Sequence, residues 1–363
     1  MKPLIDIKIL DLTRVLAGPW ATQILADLGA EVIKIEQPGV GDETRTWGPP
    51  FYDERAGLSA YFLAANRGKQ SLALNMNDPR DLTEIKRLAL EADVVLENFK
   101  VGSLKKYGLN AETLRAQKPE LIYLSLTGFG QTGPRAGEAG YDLLLQGLSG
   151  LMSLTGQEAP TKLGVAWIDI MTGLYAVIAI LAALRKRDQT QEGTSIDLAL
   201  FDVAVAGLAN QAMSYLVSGQ VPQRLGNAHP NIAPYEVYEV ADGHLILAIG
   251  NEGQFGAFCG AAELDLYSDP RFATNAQRVK NREALNMALA PILYTKTRQA
   301  WIDLLSPLKV PCGPIQSLNE VFTDPQTQAR GLVQDLDGVP TLASPLRFDG
   351  EMLMAPQPPP KRN

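Results

Sequence analysis

Cysteine is almost missing from this chain. Cys259 and Cys312 are the only two in 363 residues, which excludes a disulfide framework and a thiolate metal cluster. Histidine is equally scarce, at His229 and His244, so a His-rich metal centre is excluded as well. There is no surplus of basic residues. The formal net charge is −7, and without excess cations to neutralise phosphates a nucleic-acid partner is excluded. Long apolar runs are also lacking. The longest, LYAVIAILAAL at 174–184, is too short to span a bilayer, so no membrane partner is expected. The opening MKPLIDIKIL places Asp6 where a signal peptide would be apolar, and the expected compartment is the cytoplasm. What remains is 46% hydrophobic and 20% charged, the balance of an ordinary soluble globule long enough for two domains.

Read in order, the chain opens as α/β. Residues 7–12 (IKILDL) form a strand pattern. Pro19 starts a helix with Trp20, Ile24 and Leu28 on one face, and Gly29 ends it. A second strand follows at 31–36. Strand, helix and strand in about 30 residues make a βαβ unit. It lacks the GxGxxG turn of a dinucleotide cradle. GFGQTG at 128–133 does match that motif, but Pro134 and a loop follow it, so it reads as a turn. Residues 39–70 are rich in Gly, Pro and charge and read as a functional loop. Further strands are expected at 71–74, 93–99, 121–127 and 195–200. Helices are expected from Asn77, at 142–153, at 174–187 and at 201–217.

Composition changes at 218–234 (SGQVPQRLGNAHPNIAP), a linker. Two strand patterns then flank Asp242-Gly243, a hairpin signal. Helices from Gln254, Asn281 and Thr297 follow. The expected organisation is a large Rossmann-like domain at 1–217, a linker at 218–234, a small α+β domain at 235–320 and a return segment at 321–363.

One acid stands out. Asp169 sits in GVAWIDIMTG among Val165, Ala166, Trp167, Ile168, Ile170 and Met171, which cannot solvate a carboxylate. It caps a helix, pairs with a cation or serves chemistry. The apolar pattern places the helix start near Thr172 or Gly173, with Thr172 the better cap, and leaves Asp169 poised beside a positive helix end.

The segment AGYDLLLQGLSGLMSLTG, continued by GVAWIDIMTGLYA, resembles the class III CoA-transferases. Four further blocks agree: DLTRVLAGPWATQILADLGAEVIKIEQPG, GDETRTWGPPF, ADVVLENF and VPCGPI. The likeness covers nearly the whole chain. It implies a fold of interlocked homodimers and makes Asp169 the nucleophile. It implies transfer of CoA from an acyl-CoA, with succinyl-CoA the expected donor, to a free carboxylic acid. The transfer would pass through an aspartyl anhydride and an aspartyl-CoA thioester on Asp169, with CoA as substrate and no permanently bound cofactor. The TRTWGPPF block, shared with members that use dicarboxylates, implies a C4–C5 diacid such as glutarate.

Family position also assigns supporting residues. Asp142 and Tyr141 would stand near the nucleophile. Gly250, Asn251, Gly253 and Gln254 match a mobile glycine loop, though one poorer in glycine. Asn98, Phe99 and Lys106 would touch CoA, and Arg14, Ala17, Arg67 and Lys69 are expected near the same face. A diacid needs a cation for its distal carboxylate, best supplied by an arginine fork. Arg45, with Trp47 as an apolar wall, is the candidate, and His229 is open to either a substrate or a loop-packing role. Alternatives are an α-methylacyl-CoA racemase, an NAD-dependent Rossmann enzyme and a non-catalytic CoA-binding homologue. The racemase pattern carries His where Tyr141 stands and a GDFGGG stretch where IDIMTG stands.

Overall fold

The structure, a computed structural model, describes residues 2–362. The chain forms two compact units. One comprises Met1–Leu151, Lys162–Gln220 and Pro325–Asn363; the other comprises Met152–Thr161 and Val221–Asp324. Residues 152–161 thus fall in the second unit, which the expected bounds did not include.

The first unit is built on six strands: β1 (Lys8–Leu12), β2 (Glu31–Glu36), β3 (Lys69–Ala73), β4 (Val94–Glu97), β5 (Ile122–Thr127) and β6 (Ser195–Ala199). Their order is β3-β2-β1-β4-β5-β6, and every neighbouring pair is parallel. Parallel strands are covered on both faces and so read as continuous apolar runs. VVLE in β4 is buried throughout. Alternate residues point to opposite cores. Ile9, Val94 and Leu124 join one cluster, and Leu10, Val95 and Tyr123 join the other.

The helices are α1 (Ala17–Asp27), α2 (Pro79–Glu91), α3 (Ala111–Gln117), α4 (Asp142–Leu148), α5 (Trp167–Thr190), α6 (Leu200–Ala206) and α7 (Ala209–Ser218). α2 is capped by Asp78, whose side chain accepts from the N–H groups of Arg80 and Asp81, and not by Asn77. α5 crosses α1 at Gly173. A Cβ there would stand 2.8 Å from the Ala17 carbonyl oxygen, so any larger residue would part the helices. The stretch expected as one helix at 201–217 bends by 70° between α6 and α7.

α5 corrects two expectations. It starts at Trp167, so Asp169 lies inside the helix and Thr172 is a buried interior residue. The mixed polarity of 167–173 hid that first turn. At 24 residues the helix is also long and apolar enough to cross a membrane. Here Ile168, Ala176, Val177, Ile180, Ala183 and Leu184 are buried in the sheet-side core.

Strand order reverses between β1 and β4. In such sheets the ligand crevice lies outside the carboxyl ends of these two strands. The residues placed there are Thr13 to Ala17 after β1, and Asn98 with Phe99 after β4.

The second unit is α+β. An antiparallel sheet of β7 (Tyr235–Val240), β8 (Gly243–Ala248) and β9 (Cys312–Pro314) has the order β9-β8-β7. Its core holds Phe255 and Phe258 from α8 (Glu252–Ala261), Leu285 and Leu289 from α9 (Arg282–Leu293) and Trp301 from α10 (Arg298–Leu305).

Candidate active site

Asp169 is the third residue of α5. Ala166, which precedes the helix, offers no side-chain cap. The cap comes from another helix. Asp142, the first residue of α4, accepts the N–H of Ile168 at 2.8 Å and of Asp169 at 3.3 Å through Oδ1. Its Oδ2 accepts from Gln146 Nε2 at 2.7 Å. A carboxylate suits a positive helix end, but this one also faces Asp169. Burial first, then the charge of Asp142, pushes the Asp169 carboxyl up to about 7.

Asp169 lines a cavity of about 190 Å³ at the switch point, together with Arg14, Val15, Ala17, Phe99 and Tyr141. One wall is set by a close backbone crossing. A Cβ on Gly140 would stand 2.4 Å from the Gly128 Cα, and one on Gly128 would stand 2.7 Å from the Gly140 Cα. Gly128, which opens the GFGQTG turn, and Gly140 both line this cavity. Tyr61 is a neighbour that the sequence did not reveal. Burial and the charges of Asp169, Asp142 and Asp42 push its phenol up to about 12, so it stays a hydrogen-bond donor. Its ring meets Trp47 edge-on, with centroids 5.0 Å apart. No spacing marks Tyr61 in the sequence; it reaches the site by folding of the 39–70 stretch.

Arg14, Asn98 and Phe99 cluster along this cavity. The Arg14 guanidinium lies 5.0 Å from the Phe99 ring centre and pairs with Glu43 at 3.3 Å, both side chains about half exposed. Such a pair is weak, so Arg14 can turn to a ligand. Arg14, Glu43 and Phe99 also line a second cavity of about 440 Å³, which reaches Lys106, Tyr107 and Met76.

Three cations expected at the site are committed elsewhere. Arg45 is buried. Its Nε and Nη2 bind both oxygens of Glu36 at 2.7 and 2.8 Å, and Nη1 donates to the carbonyls of Gly57 and Pro360. Phe62 lies against its guanidinium at 3.8 Å. It has no face for a substrate carboxylate. Arg67 is forked onto Asp27 at 2.9 and 2.5 Å and donates to the Leu342 carbonyl. Lys69 stands in β3, not in a loop, and its buried Nζ meets Asp11, Asn66 and the Pro19 carbonyl. A basic residue in a Gly-rich stretch looks the same in sequence whether its partner is a ligand or a buried acid.

The remaining expected residues lie in the second unit. Gly250, Asn251, Gly253 and Gln254 form a tied helix start. Asn251 accepts the Gln254 N–H at 2.9 Å, Gln254 Oε1 accepts the Gly250 N–H at 2.8 Å, and Gln254 Nε2 donates to the Lys309 carbonyl at 3.3 Å. The turn connects β8 to α8, with Asn251 as the helix cap. His229 packs locally. Its Nδ1 accepts the Asn231 N–H at 3.1 Å, and its ring rests on Tyr235.

The site is thus a carboxylate held near neutrality in the switch-point crevice of a doubly wound α/β sheet. The model of CoA-transferase family III matches residues 4–363. The succinate–glutarate CoA-transferase of Agrobacterium fabrum is 48% identical over 99% of this chain and 92% of its own length. The succinyl-CoA:glutarate CoA-transferase of Homo sapiens is 44% identical over 93% of this chain and 77% of its own. Among solved structures, a CAIB/BAIF family protein from Brucella suis is 51% identical, with a TM-score of 0.89 over 99% of this chain and 96% of that one. The chain belongs to CoA-transferase family III.

Proposed function

We propose that this CoA-transferase moves CoA from succinyl-CoA to a C4–C5 dicarboxylate, glutarate foremost, with Asp169 as the covalent carrier. The observation that carries the reading is the Asp169 carboxyl, held close to neutrality and facing a cavity lined by Arg14. The relatives named for succinate and glutarate support the choice of acid.

The ionised Asp169 attacks the thioester carbonyl. The C–S bond breaks, CoA leaves as thiolate, and a mixed anhydride joins Asp169 to the succinyl group. The thiolate then attacks the Asp169 carbonyl, giving an aspartyl-CoA thioester and free succinate. Glutarate reverses both steps and leaves as glutaryl-CoA. Each addition creates an oxyanion, for which one aimed donor is typically worth about 3 kcal/mol. We assign this part to Tyr61, which stays protonated and is close enough to feel the Asp169 charge.

With Arg45 occupied, Arg14 takes the distal carboxylate of the diacid. It and Lys100 are the cations lining the Asp169 cavity. Lys106, beside the second cavity, serves the nucleotide end of CoA. The protein works as a homodimer, interlocked on the strength of the family resemblance. Leu143, Leu144 and Leu148 on α4, Leu174 and Ile178 on α5, and Leu216 and Val217 on α7 are exposed. Apolar surface on that scale marks an interface.

The test is a panel of acids with succinyl-CoA as donor, read by mass spectrometry of the CoA esters formed. Glutarate is expected to outrun butyrate by about 100-fold in kcat/KM, roughly the 2–3 kcal/mol of a charge-assisted contact. Equal rates on the two acids would overturn the diacid assignment.

A further inference from the structure

The turn after β1 is strained. Val15 has φ +72°, a left-handed conformation that a β-branched residue seldom adopts and that persists only where its surroundings dictate it. Here they do. The Thr13 N–H donates to Asp11 Oδ1 at 2.9 Å, and the Thr13 carbonyl accepts from the buried Lys34 Nζ at 2.7 Å. Asn98, at the end of β4, spans the switch point and holds both polar groups of the Arg14 backbone. The Arg14 N–H donates to Asn98 Oδ1 at 3.0 Å, and Asn98 Nδ2 donates to the Arg14 carbonyl at 2.8 Å. The Val15 N–H points between the two oxygens of Asp42, at 3.3 and 3.4 Å. Asp42 is itself paired with Lys34 at 2.9 Å, with both side chains fully buried.

Every backbone donor and acceptor from the Thr13 N–H to the Val15 N–H therefore has a partner. The same stretch carries Arg14, Val15, Leu16 and Ala17 into the wall of the Asp169 cavity. A ladder of buried charges is costly to assemble and is not needed to end a strand. Asn98 was expected to touch CoA, yet its amide is spent on Arg14.

We propose that residues 13–15 form a pre-set wall of the Asp169 cavity, locked in a strained form by Asn98, Lys34 and Asp42, and that Asn98 is a positioning residue acting through Arg14. This rests on the reading of Asp169 as the reacting group. The backbone fixes where the Arg14 side chain leaves the chain, and so where a bound acid sits relative to Asp169. A misplacement of about 1 Å at such a point can cost about 100-fold in rate.

The test compares Val15→Gly, Val15→Ala and Asn98→Ala in the full-length protein, with Asp169→Asn as the reference for loss of chemistry. Glycine accepts the left-handed form without strain, so Val15→Gly removes the strain while Asn98, Lys34 and Asp42 still hold the turn. Val15→Gly is expected to raise Tm, and Val15→Ala, which keeps a Cβ in the left-handed form, to raise it less. Asn98→Ala is expected to lower kcat/KM for glutarate by about tenfold, with KM for succinyl-CoA within about threefold of wild type. In the double variant Val15→Gly/Asn98→Ala the loss is expected to be several-fold smaller than in Asn98→Ala alone, because no strain drives the released turn away.

Four results would overturn the proposal: Asn98→Ala near wild type, a Tm for Val15→Gly at or below that of Val15→Ala, an effect of Asn98→Ala confined to KM for succinyl-CoA, or an undiminished loss from Asn98→Ala in the Val15→Gly background. An active Asp169→Asn would instead remove the reading of the nucleophile, whatever the other variants do.

Discussion

At the residue scale the decisive group is Asp169. Folding keeps a proton on it that the unfolded chain releases at the ordinary value of 3.8, since burial and then Asp142 raise it to about 7. A raised carboxyl costs stability once the unfolded form ionises; that cost grows as pH rises from the ordinary value and levels off above about 7. Asp169→Asn is therefore expected to melt at a higher temperature than wild type at about pH 8, with the gap narrowing towards about pH 5. A lower melting temperature at the higher pH would contradict the assignment of burial and repulsion to this residue. Activity runs the other way, because only the carboxylate attacks. The rate should rise with pH through about 7. Arg45 gives a second prediction at this scale. Its role is to hold the buried Glu36, so Arg45→Ala leaves an unpaired buried charge and is expected to destabilise by about 3–5 kcal/mol. In the fraction that stays folded, selectivity for diacids over monoacids should be unchanged. Loss of that selectivity with undiminished stability would return Arg45 to the site.

At the element scale, the start of α5 depends on Asp142 from α4. This one side chain caps the helix and repels Asp169, and Asp142→Asn separates the two effects. The amide oxygen can still accept the N–H groups of Ile168 and Asp169, but the charge is gone. The midpoint of the pH–rate profile is expected to move to lower pH, while burial still holds it above the ordinary carboxylate range. An unmoved midpoint would mean that Asp142 does not set the proton affinity of Asp169. Elements with strong periodicity were legible in the sequence. The βαβ opening, the strands of the sheet and the hairpin at Asp242-Gly243 all lie close to where the pattern places them. The start of α5 was not, because its cap comes from residue 142, outside any local window. The partners of Arg45, Arg67 and Lys69 were hidden for the same reason. Glu36, Asp27 and Asp11 lie on other elements, and only the fold brings each acid to its cation.

At the scale of the whole molecule, the family was readable from long motifs, and the switch-point crevice follows from strand order. The exposed apolar faces of α4, α5 and α7 have no explanation within one chain. Light scattering is expected to show a dimer that persists on dilution to nanomolar concentration, since faces of this kind associate strongly. A monomer at that concentration would count against a dimer of threaded chains.

The central claim is that CoA passes through a covalent bond to Asp169, and trapping that bond tests it most directly. The protein is mixed with succinyl-CoA, quenched with hydroxylamine or borohydride, digested and analysed by peptide mass spectrometry. The expected result is a hydroxamate or a reduced side chain at Asp169 alone, absent from Asp169→Asn, which should also lose transfer. Active enzyme that shows no modification at Asp169, or an Asp169→Asn variant that transfers CoA without reverting to aspartate, would contradict the account.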